Sequence, residues 1–341
     1  METKRWNTVD SGNQQGIDEA AGLLQNGEAV AFPTETVYGL GADATSETAV
    51  AKIFAAKGRP ADNPLIAHVA TKAQLQQLVS TVPTFVDKLI DTFSPGPLTY
   101  ILPSNGTCAT NVTAEQSTIG VRIPSHPVAQ RLLRKCDLPI AAPSANLSGK
   151  PSPTTADHVW QDLNGKIAGL LDGGPTGVGV ESTVIDCTSE IPIILRPGGV
   201  TKEQLQEVIG DVMVDPALAN AVGRPKAPGM KYRHYAPEVP MWLIEGPAEK
   251  LAEVIGEERE NYAKIGVIAS EETSERLCAD QVISLGSKES LTDIAAHIYD
   301  ALRTFKEGDV DLIVCEAFPE KGIGLAIMNR LKKAASVYVP A

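Results

Sequence analysis

The alternation of strand-like and helix-like segments constrains the fold of this chain more than any other feature. Apolar, β-rich runs such as PLTYILP (97–103) and STIGVRIP (117–124) are separated by segments with helical spacing, such as HPVAQRLLRKC (126–136). This alternation predicts an α/β layer architecture. Because α/β sheets bind ligands beyond the ends of their strands, the polar, glycine-rich segments that follow the strands are the candidate binding loops.

The alternation is interrupted once and then resumes. After a predicted helix over 201–210, the segment VGRPKAPGMKYRHYAPEVP (222–240) is rich in proline and cations. We therefore predict a first α/β domain over 1–210, a linker over 211–239 and a smaller Rossmann-like parallel α/β domain over 240–341. The aromatic and cationic content of MKYRHY is unusual for an inert spacer, which favours a lid that closes over a ligand.

Composition and charge exclude several classes of protein. The net charge of −12 argues against a broad nucleic-acid-binding face but leaves room for one positive cavity. The sequence has no apolar run of membrane-spanning length, and METKRWNTVD lacks the apolar core of a signal peptide. A cytoplasmic location is therefore expected. The five cysteines form no CxxC pair, and the histidines show no metal-ligand spacing, so no metal site is predicted.

The segment KGRPADNPLIAH (57–68) is the strongest candidate for an anion site. Lys57 and Arg59 flank a glycine within a proline-bracketed loop, and both suit phosphate or carboxylate. Taken alone, such a pair is more often a solvated basic turn. The same segment also contains Asn63 and His68. Further hydroxyls, amides and cations occur in other strand-end loops, at Thr34, Thr36, Ser117, Thr118, Arg122, Ser144, Asn146, Ser148, Lys150, Ser152 and Arg196. Together they predict one pocket for a phosphorylated ligand, formed without a Walker A loop.

Several of these segments, in this order, resemble the YrdC/YwlC family of threonylcarbamoyl-AMP synthases. The matching segments are PTETVYGLG, KGRPADNPL, STIGVRIP, APSANLSG, GGPTGVGVESTVID and LRPGG. Lys57 and Arg59 with Ser144 and Asn146 match the KxR…SxN signature of that family. APGMKYRHYAP and the C-terminal region resemble its longer, two-domain branch. The resemblance implies a YrdC-like twisted open α/β catalytic domain followed by a Rossmann-like one.

The resemblance also implies a reaction and its residues. L-threonine, bicarbonate or CO2, and ATP would give L-threonylcarbamoyl-AMP and pyrophosphate, for modification of the adenosine beside the tRNA anticodon. Lys57, Arg59, Ser144 and Asn146 would be catalytic. The implied ATP-binding residues are Arg59, Asn63, Thr118, Ser144, Ser152, Arg196, His234 and Tyr235. The implied L-threonine-binding residues are Thr36, His68, Arg122 and the backbone of Ala142.

Cofactors, partners and alternatives follow from the same comparison of motifs. Mg²⁺ is expected as an ion carried by ATP and held largely by its phosphates. A tRNA threonylcarbamoyl transferase complex is the expected transient partner, without membrane contact or strong direct tRNA binding. A carbamoyl-transfer enzyme of related fold and an RNA-binding module remain the alternatives. The acylphosphatase module and cysteine-rich segments that the first requires are missing from the sequence, and net acidity counts against the second.

Overall fold

The computed structural model describes residues 2–9, 13–218 and 235–341, which fall into two units. The first unit contains the described residues up to 148 and from 152 to 218. The second contains 149–151 together with 235–341. Much of the predicted linker lies outside the described residues, so the domain boundaries expected at 210 and 240 stay predictions.

The first unit is built on a single mixed sheet. Its strands are β1 Lys4–Asn7, β2 Val30–Phe32, β3 Gly39–Asp43, β4 Ile66–His68, β5 Leu98–Pro103, β6 Thr118–Arg122, β7 Ile140–Ala141, β8 Gly169–Asp172, β9 Thr183–Asp186, β10 Ile193–Arg196 and β11 Met213–Val214. They are ordered β1-β8-β2-β3-β7-β4-β6-β5-β9-β10-β11. The sheet combines parallel pairs such as β4–β6 with antiparallel pairs such as β5–β6. This twisted α/β sheet confirms the fold class predicted for the first domain.

The helices of the first unit pack on both faces of this sheet. They are α1 Gln14–Gln25, α2 Glu47–Lys57, α3 Lys72–Gln76, α4 Thr84–Phe93, α5 Thr110–Thr113, α6 Pro127–Cys136, α7 Ala156–Leu163 and α8 Lys202–Ile209. In β2, Val30 and Phe32 join the core beneath α1 and α6, whereas Ala31 joins the larger core on the opposite face. The period of two along the strand thus buries both of its faces.

Close packing at β3 depends on glycine. A Cβ atom on Gly41 would lie 2.6 Å from the Ile140 side chain and 2.7 Å from the Phe32 ring. The sequence GLGAD therefore forms a strand that lies against bulky neighbours, and the loop predicted after β2 is confined to residues 33–38.

The second unit is a smaller parallel sheet with its own core. Its elements are β12 Met241–Ile244, α9 Ala248–Glu258, β13 Ile265–Ala269, α10 Glu271–Ser274, β14 Gln281–Ser284, α11 Leu291–Thr304, β15 Leu312–Glu316, α12 Gly324–Ala334 and β16 Val337–Val339. The order is β14-β13-β15-β12-β16, and each neighbouring pair is parallel. This confirms the predicted Rossmann-like architecture.

The short segment 149–151 belongs to the second unit because of its hydrogen bonds. Buried Arg303 of α11 donates two of them, 3.1 and 2.6 Å long, to the Pro151 carbonyl. The Ala236 amide donates another, 3.1 Å long, to the Gly149 carbonyl.

Over the described ranges, helices long and apolar enough to cross a bilayer do not occur.

Candidate active site

One face of the first sheet brings together the predicted residues His68, Thr118 and Arg122 with Thr99, which was not predicted. His68 of β4 and Thr99 of β5 are both register partners of Arg122 at the end of β6. Thr118 lies on the same face at the start of β6, four residues away, which is about 13 Å along a strand. A small apolar cluster, Ile66, Ile101, Val184 and Leu195, lies on this face between the two ends. The face therefore offers one cationic end and one hydroxyl end, joined by an apolar floor.

Lys57 is the last residue of α2 and is 3% exposed, so it does not lie in a solvated loop. Its Nζ donates hydrogen bonds of 2.5 Å to the carbonyl oxygens of Ser144 and Asn146. Gly58, in the left-handed conformation at φ 61°, ends the helix and turns the chain toward Arg59. The two halves of the KxR…SxN signature are thus in direct contact, with the lysine fixing the backbone of the second half. Its predicted action on carbamate or phosphate stays a prediction.

Asn63 has a buried side-chain amide that is suited to hydrogen-bond a ligand. Its side chain is 1% exposed, and within the described part of the chain neither its Oδ1 nor its Nδ2 has a hydrogen-bond partner. Arg59 lies beside it, with Nη2 3.4 Å from the Asn63 carbonyl and 3.3 Å from the Pro64 carbonyl. A buried amide without partners costs about 1–3 kcal/mol. A ligand that offers both a donor and an acceptor would recover that free energy.

The loop after β7 holds its polar side chains in a defined arrangement. The Ser144 hydroxyl donates to Asn146 Oδ1 at 2.6 Å, and Asn146 Nδ2 donates to the Leu147 carbonyl at 2.7 Å. The Ala142 amide donates to the Ile66 carbonyl at 2.9 Å, which fixes the start of the loop against β4. Ser152, 1% exposed, donates to Glu181 Oε1 at 2.6 Å. The structure therefore places Ser144 and Asn146 together and pairs Ser152 with a glutamate that the sequence did not single out.

Arg196 is the last residue of β10 and is hydrogen-bonded to Ser182, the residue that precedes β9. Its Nε and Nη2 donate to the Ser182 carbonyl at 3.1 and 2.9 Å, and Nη2 also donates to the Ser182 hydroxyl at 3.1 Å. The Ser182 hydroxyl lies 2.8 Å from that of Thr99. Arg196 thus reaches, through Ser182, the strand that pairs with β6. Its predicted contact with ATP stays a prediction.

Arg122 is buried and already has three partners. Its Nε donates to the Gly96 carbonyl at 3.3 Å, Nη1 to the Thr36 hydroxyl at 3.0 Å, and Nη2 to Glu35 Oε1 at 2.5 Å. A guanidinium has five N–H groups, so two remain within the described structure, one on each terminal nitrogen. That pair suits a carboxylate that bridges both terminal nitrogens.

The direction of the hydrogen bonds determines what Thr36 can offer. The Thr34 hydroxyl donates to the Val37 carbonyl at 2.6 Å, so the 2.8 Å contact between the two threonine hydroxyls has Thr36 as its donor. Thr36 also accepts from Arg122. With its proton committed to Thr34, the Thr36 oxygen can offer a ligand only its remaining lone pair. It suits an amine or a hydroxyl that donates.

Glu35 is the residue that the sequence analysis missed in this arrangement. Its Oε1 accepts from Arg122, and its Oε2 accepts from the Ser125 amide at 3.0 Å. Burial alone would raise the pKa of Glu35, but the charge and hydrogen bond of Arg122 outweigh it and hold that pKa below its ordinary value. Glu35 is therefore ionised and paired. No sequence signal pointed to this pairing, because Glu35 and Arg122 are separated by 87 positions.

His68 is neutral in this environment. Burial, with a smaller contribution from the charge of Arg122, lowers the pKa of His68 to about 3. Its Nδ1 lies 3.1 Å from the Ile66 carbonyl, which can only accept, so this nitrogen carries the proton. His68 thus places a neutral imidazole ring beside Arg122.

The predicted lid residues are only partly described. His234 lies outside the described residues. Tyr235 is 5% exposed, with its ring 5.3 Å from that of Tyr299 and 5.9 Å from the Arg330 guanidinium, all within the second unit. Its φ of 65° is uncommon for an aromatic residue, so packing must hold the backbone there. The closure of this residue over a nucleotide stays a prediction.

The donor set does not match a resident metal centre. Across the described residues, no three histidine, cysteine or carboxylate side chains come together in a group that could hold an ion. The residues predicted to face phosphate are cations, amides and hydroxyls, whereas Mg²⁺ prefers carboxylates, phosphates and water. That a magnesium ion enters as the complex with ATP stays a prediction.

Comparison with known proteins assigns both parts of the chain. Residues 22–198 match the family model described as telomere recombination, and residues 200–336 match that described as threonylcarbamoyl-AMP synthase, C-terminal domain. The threonylcarbamoyl-AMP synthase of Bacillus subtilis is 52% identical over 340 residues, which cover 98% of each chain.

Two solved structures of the Pyrococcus abyssi Sua5 protein share this architecture over nearly the whole chain. The complex with L-threonine is 46% identical, covers 99% of this chain and 100% of its own, and has a TM-score of 0.95. The H234A/Y235A variant is 45% identical, covers 99% of both chains and has a TM-score of 0.94. With this coverage and identity, the chain belongs to the threonylcarbamoyl-AMP synthase family, in its two-domain form.

Proposed function

We propose that this chain is an L-threonylcarbamoyladenylate synthase. It converts L-threonine, bicarbonate or CO2, and ATP to L-threonylcarbamoyl-AMP and pyrophosphate. The product serves threonylcarbamoylation of the adenosine that follows the tRNA anticodon. Its family membership and its similarity to a threonine-bound relative support this activity. The observation in this chain that carries the proposal is the buried Arg122, which keeps two N–H groups for a carboxylate beside the acceptor oxygen of Thr36.

The cationic end of the sheet face suits threonine. A carboxylate across the two terminal nitrogens of Arg122 forms a planar bidentate pair. The α-amine or the side-chain hydroxyl can then donate to Thr36, and the neutral His68 adds no competing charge. The backbone at Ala142, fixed to β4, completes this part of the proposed site.

The other end of the face suits the nucleotide. Adenine has both a ring acceptor and an amino donor, which match the free amide of Asn63, and the apolar floor can pack against the base or ribose. Arg59, Thr118, Ser144, Ser152 and Arg196 are proposed to contact the remaining polar atoms of ATP. The 13 Å or so between Thr118 and Arg122 is a span that one threonylcarbamoyl-adenylate could bridge.

The chemistry needs positioning more than a dedicated base. Once the threonine ammonium group has lost a proton to solvent, the neutral amine and bicarbonate form a carbamate with loss of one water molecule. A carbamate oxygen attacks the α-phosphorus, the bond from that phosphorus to the bridging oxygen of the β-phosphate breaks, and pyrophosphate leaves. In-line placement and neutralisation of the phosphate charge lower the barrier. Lys57 fixes the Ser144–Asn146 loop for this role, and Mg²⁺ enters as the complex with ATP.

Three further assignments remain part of the proposal. A tRNA threonylcarbamoyl transferase complex is the proposed recipient of the product, since the adenylate is a mixed anhydride that water hydrolyses. The proposed location is the cytoplasm, where the tRNA and both small substrates are available. His234 and Tyr235 are proposed to close over the nucleotide and exclude water from this anhydride.

The proposal is tested by pyrophosphate release from ATP, with threonine and bicarbonate omitted in turn. Full release only with all three substrates supports it. Release without threonine would indicate a plain pyrophosphatase-type activity and contradict it. Filter binding of unmodified tRNA in the same buffer tests the RNA-binding alternative, for which tight binding without pyrophosphate release is the expected result.

A further inference from the structure

Arg122 and Glu35 form a buried ion pair that no ligand has to complete. The Arg122 side chain is 4% exposed and that of Glu35 is 14% exposed, with Nη2 and Oε1 2.5 Å apart. The second oxygen of Glu35 accepts from the Ser125 amide. The arginine proposed to bind the threonine carboxylate is therefore not an isolated cation, and its charge is already balanced before any substrate arrives.

The position of Glu35 is fixed by its backbone as well as by its side chain. The Glu35 carbonyl accepts a 2.8 Å hydrogen bond from the Val178 amide. The next residue, Thr36, is fully buried and bound to Arg122 through its hydroxyl. Glu35 and Thr36 thus hold the guanidinium from the same loop, and a small shift of the carboxylate toward a ligand would not require the loop to open.

The charge balance determines which ligands the site favours. A simple carboxylate that binds the remaining N–H groups of Arg122 adds one negative charge to a buried, neutral pair. An α-amino acid adds none, because its ammonium group balances its carboxylate. Net charge in a desolvated site is costly, and opposite charges a few Å apart interact strongly there.

We propose that Glu35 is a specificity-determining residue that makes the Arg122 site select a zwitterionic α-amino acid over a carboxylate that lacks the amine. Because the ammonium lies one carbon from the carboxylate, a ligand bound to Arg122 brings its amine close to Thr36 Oγ1 and the Glu35 carboxylate. Those two groups are acceptors, and together they favour a donor. This inference rests on the proposed function, since it assumes that threonine is the ligand.

The experiment compares threonine with 3-hydroxybutanoate, which keeps the carboxylate and the hydroxyl but lacks the amine. Binding of both to the full chain is measured by calorimetry for the wild type, Glu35→Gln and Glu28→Gln. Glu28 is the matched control, because it pairs with Lys52 at 2.9 Å on the surface of the same unit. The wild type and Glu28→Gln are expected to favour threonine strongly.

In Glu35→Gln, the preference for threonine should fall at least about tenfold, which corresponds to about 1.4 kcal/mol. Threonine loses the carboxylate that attracts its amine, while 3-hydroxybutanoate meets an arginine whose charge is no longer balanced. A preference unchanged in folded Glu35→Gln would overturn the inference, as would loss of binding of both ligands in proportion, which would indicate only a scaffolding role.

A measurement on the wild type keeps the inference testable even if Glu35→Gln does not fold. Threoninol, which keeps the amine but lacks the carboxylate, should also bind more weakly than threonine, because it leaves a net positive charge. If 3-hydroxybutanoate binds the wild type as well as threonine does, the inference is wrong and the proposed function stands. If threonine does not bind at all, both fail.

Discussion

Replacement of Asn63 by alanine should stabilise the ligand-free protein or leave its stability unchanged, while it weakens ATP binding. The side chain is 1% exposed and neither of its polar atoms is paired within the described residues. Removal of an unpaired buried amide recovers about 1–3 kcal/mol. The cavity left by the small side chain costs on the order of 1 kcal/mol. The net expectation is a gain of about 0–2 kcal/mol in the free energy of unfolding.

The assay is thermal unfolding with and without ATP, together with calorimetric titration of ATP. For a domain of this size, 1 kcal/mol moves the midpoint by about 2–4 °C. The ligand-free variant should therefore unfold at or slightly above the wild-type temperature. Its ATP affinity should fall about tenfold or more, because one or two hydrogen bonds to the ligand are lost.

Asn105→Ala is the matched control. Asn105 Nδ2 donates to the Gln77 carbonyl at 2.8 Å and its Oδ1 accepts from the Thr107 amide at 3.0 Å, so its removal breaks existing hydrogen bonds. The control should lose about 0.5–1.5 kcal/mol of stability and keep its ATP affinity. A drop in stability of Asn63→Ala as large as that of the control would refute the reasoning, because it would mean that the Asn63 amide is satisfied without a ligand.

Three other perturbations test separate parts of the site. Arg122→Lys should weaken threonine binding much more than ATP binding in calorimetry, because a point charge cannot replace the bidentate fork; equal losses would contradict the division of the site. Because His68 stays neutral in the folded protein, its contribution to the free energy of unfolding is fully present above pH 6.5 and is lost as the pH falls toward 3, at up to about 1.4 kcal/mol per pH unit. In denaturant unfolding, the free energy of unfolding of His68→Gln should therefore fall less steeply with decreasing pH than that of the wild type. Lys57→Met should slow pyrophosphate release by an amount that corresponds to a loss of about 2–4 kcal/mol of transition-state stabilisation, while threonine still binds. Pyrophosphate release at nearly the wild-type rate would show that Lys57 has no part in catalysis.

The sequence predicted the alternating elements well because their periodicity reflects burial on each face. The predicted strand PLIAHVA contains β4, and HPVAQRLLRKC contains α6. Of the strands that were not predicted, Lys4–Asn7, Met213–Val214 and Val337–Val339 are short and lie at sheet edges. Gly39–Asp43 lies inside the first sheet, and its glycines led to the prediction of a loop. Such short or glycine-rich runs carry too little periodicity to be recognised as strands.

The sequence predicted which residues share one pocket, but it did not predict the hydrogen-bond partners that the structure gives them. The signature residues Lys57, Ser144 and Asn146 do meet, yet the sequence could not show that the lysine binds backbone carbonyls. Arg122 was expected as an open fork for carboxylate, whereas the structure pairs it with Glu35. Which carboxylate pairs with a buried arginine depends on how the loops pack in three dimensions, since Glu35 and Arg122 are separated by 87 positions.

The measurement that tests the central claim most directly uses ¹³C-labelled bicarbonate. The full chain is incubated with ATP, threonine and the labelled bicarbonate, and the nucleotide products are separated and analysed by mass spectrometry. The account predicts an adenylate that contains threonine and the ¹³C label, formed together with pyrophosphate. Formation of an unlabelled threonyl-adenylate, or of AMP and pyrophosphate without threonine, would contradict it.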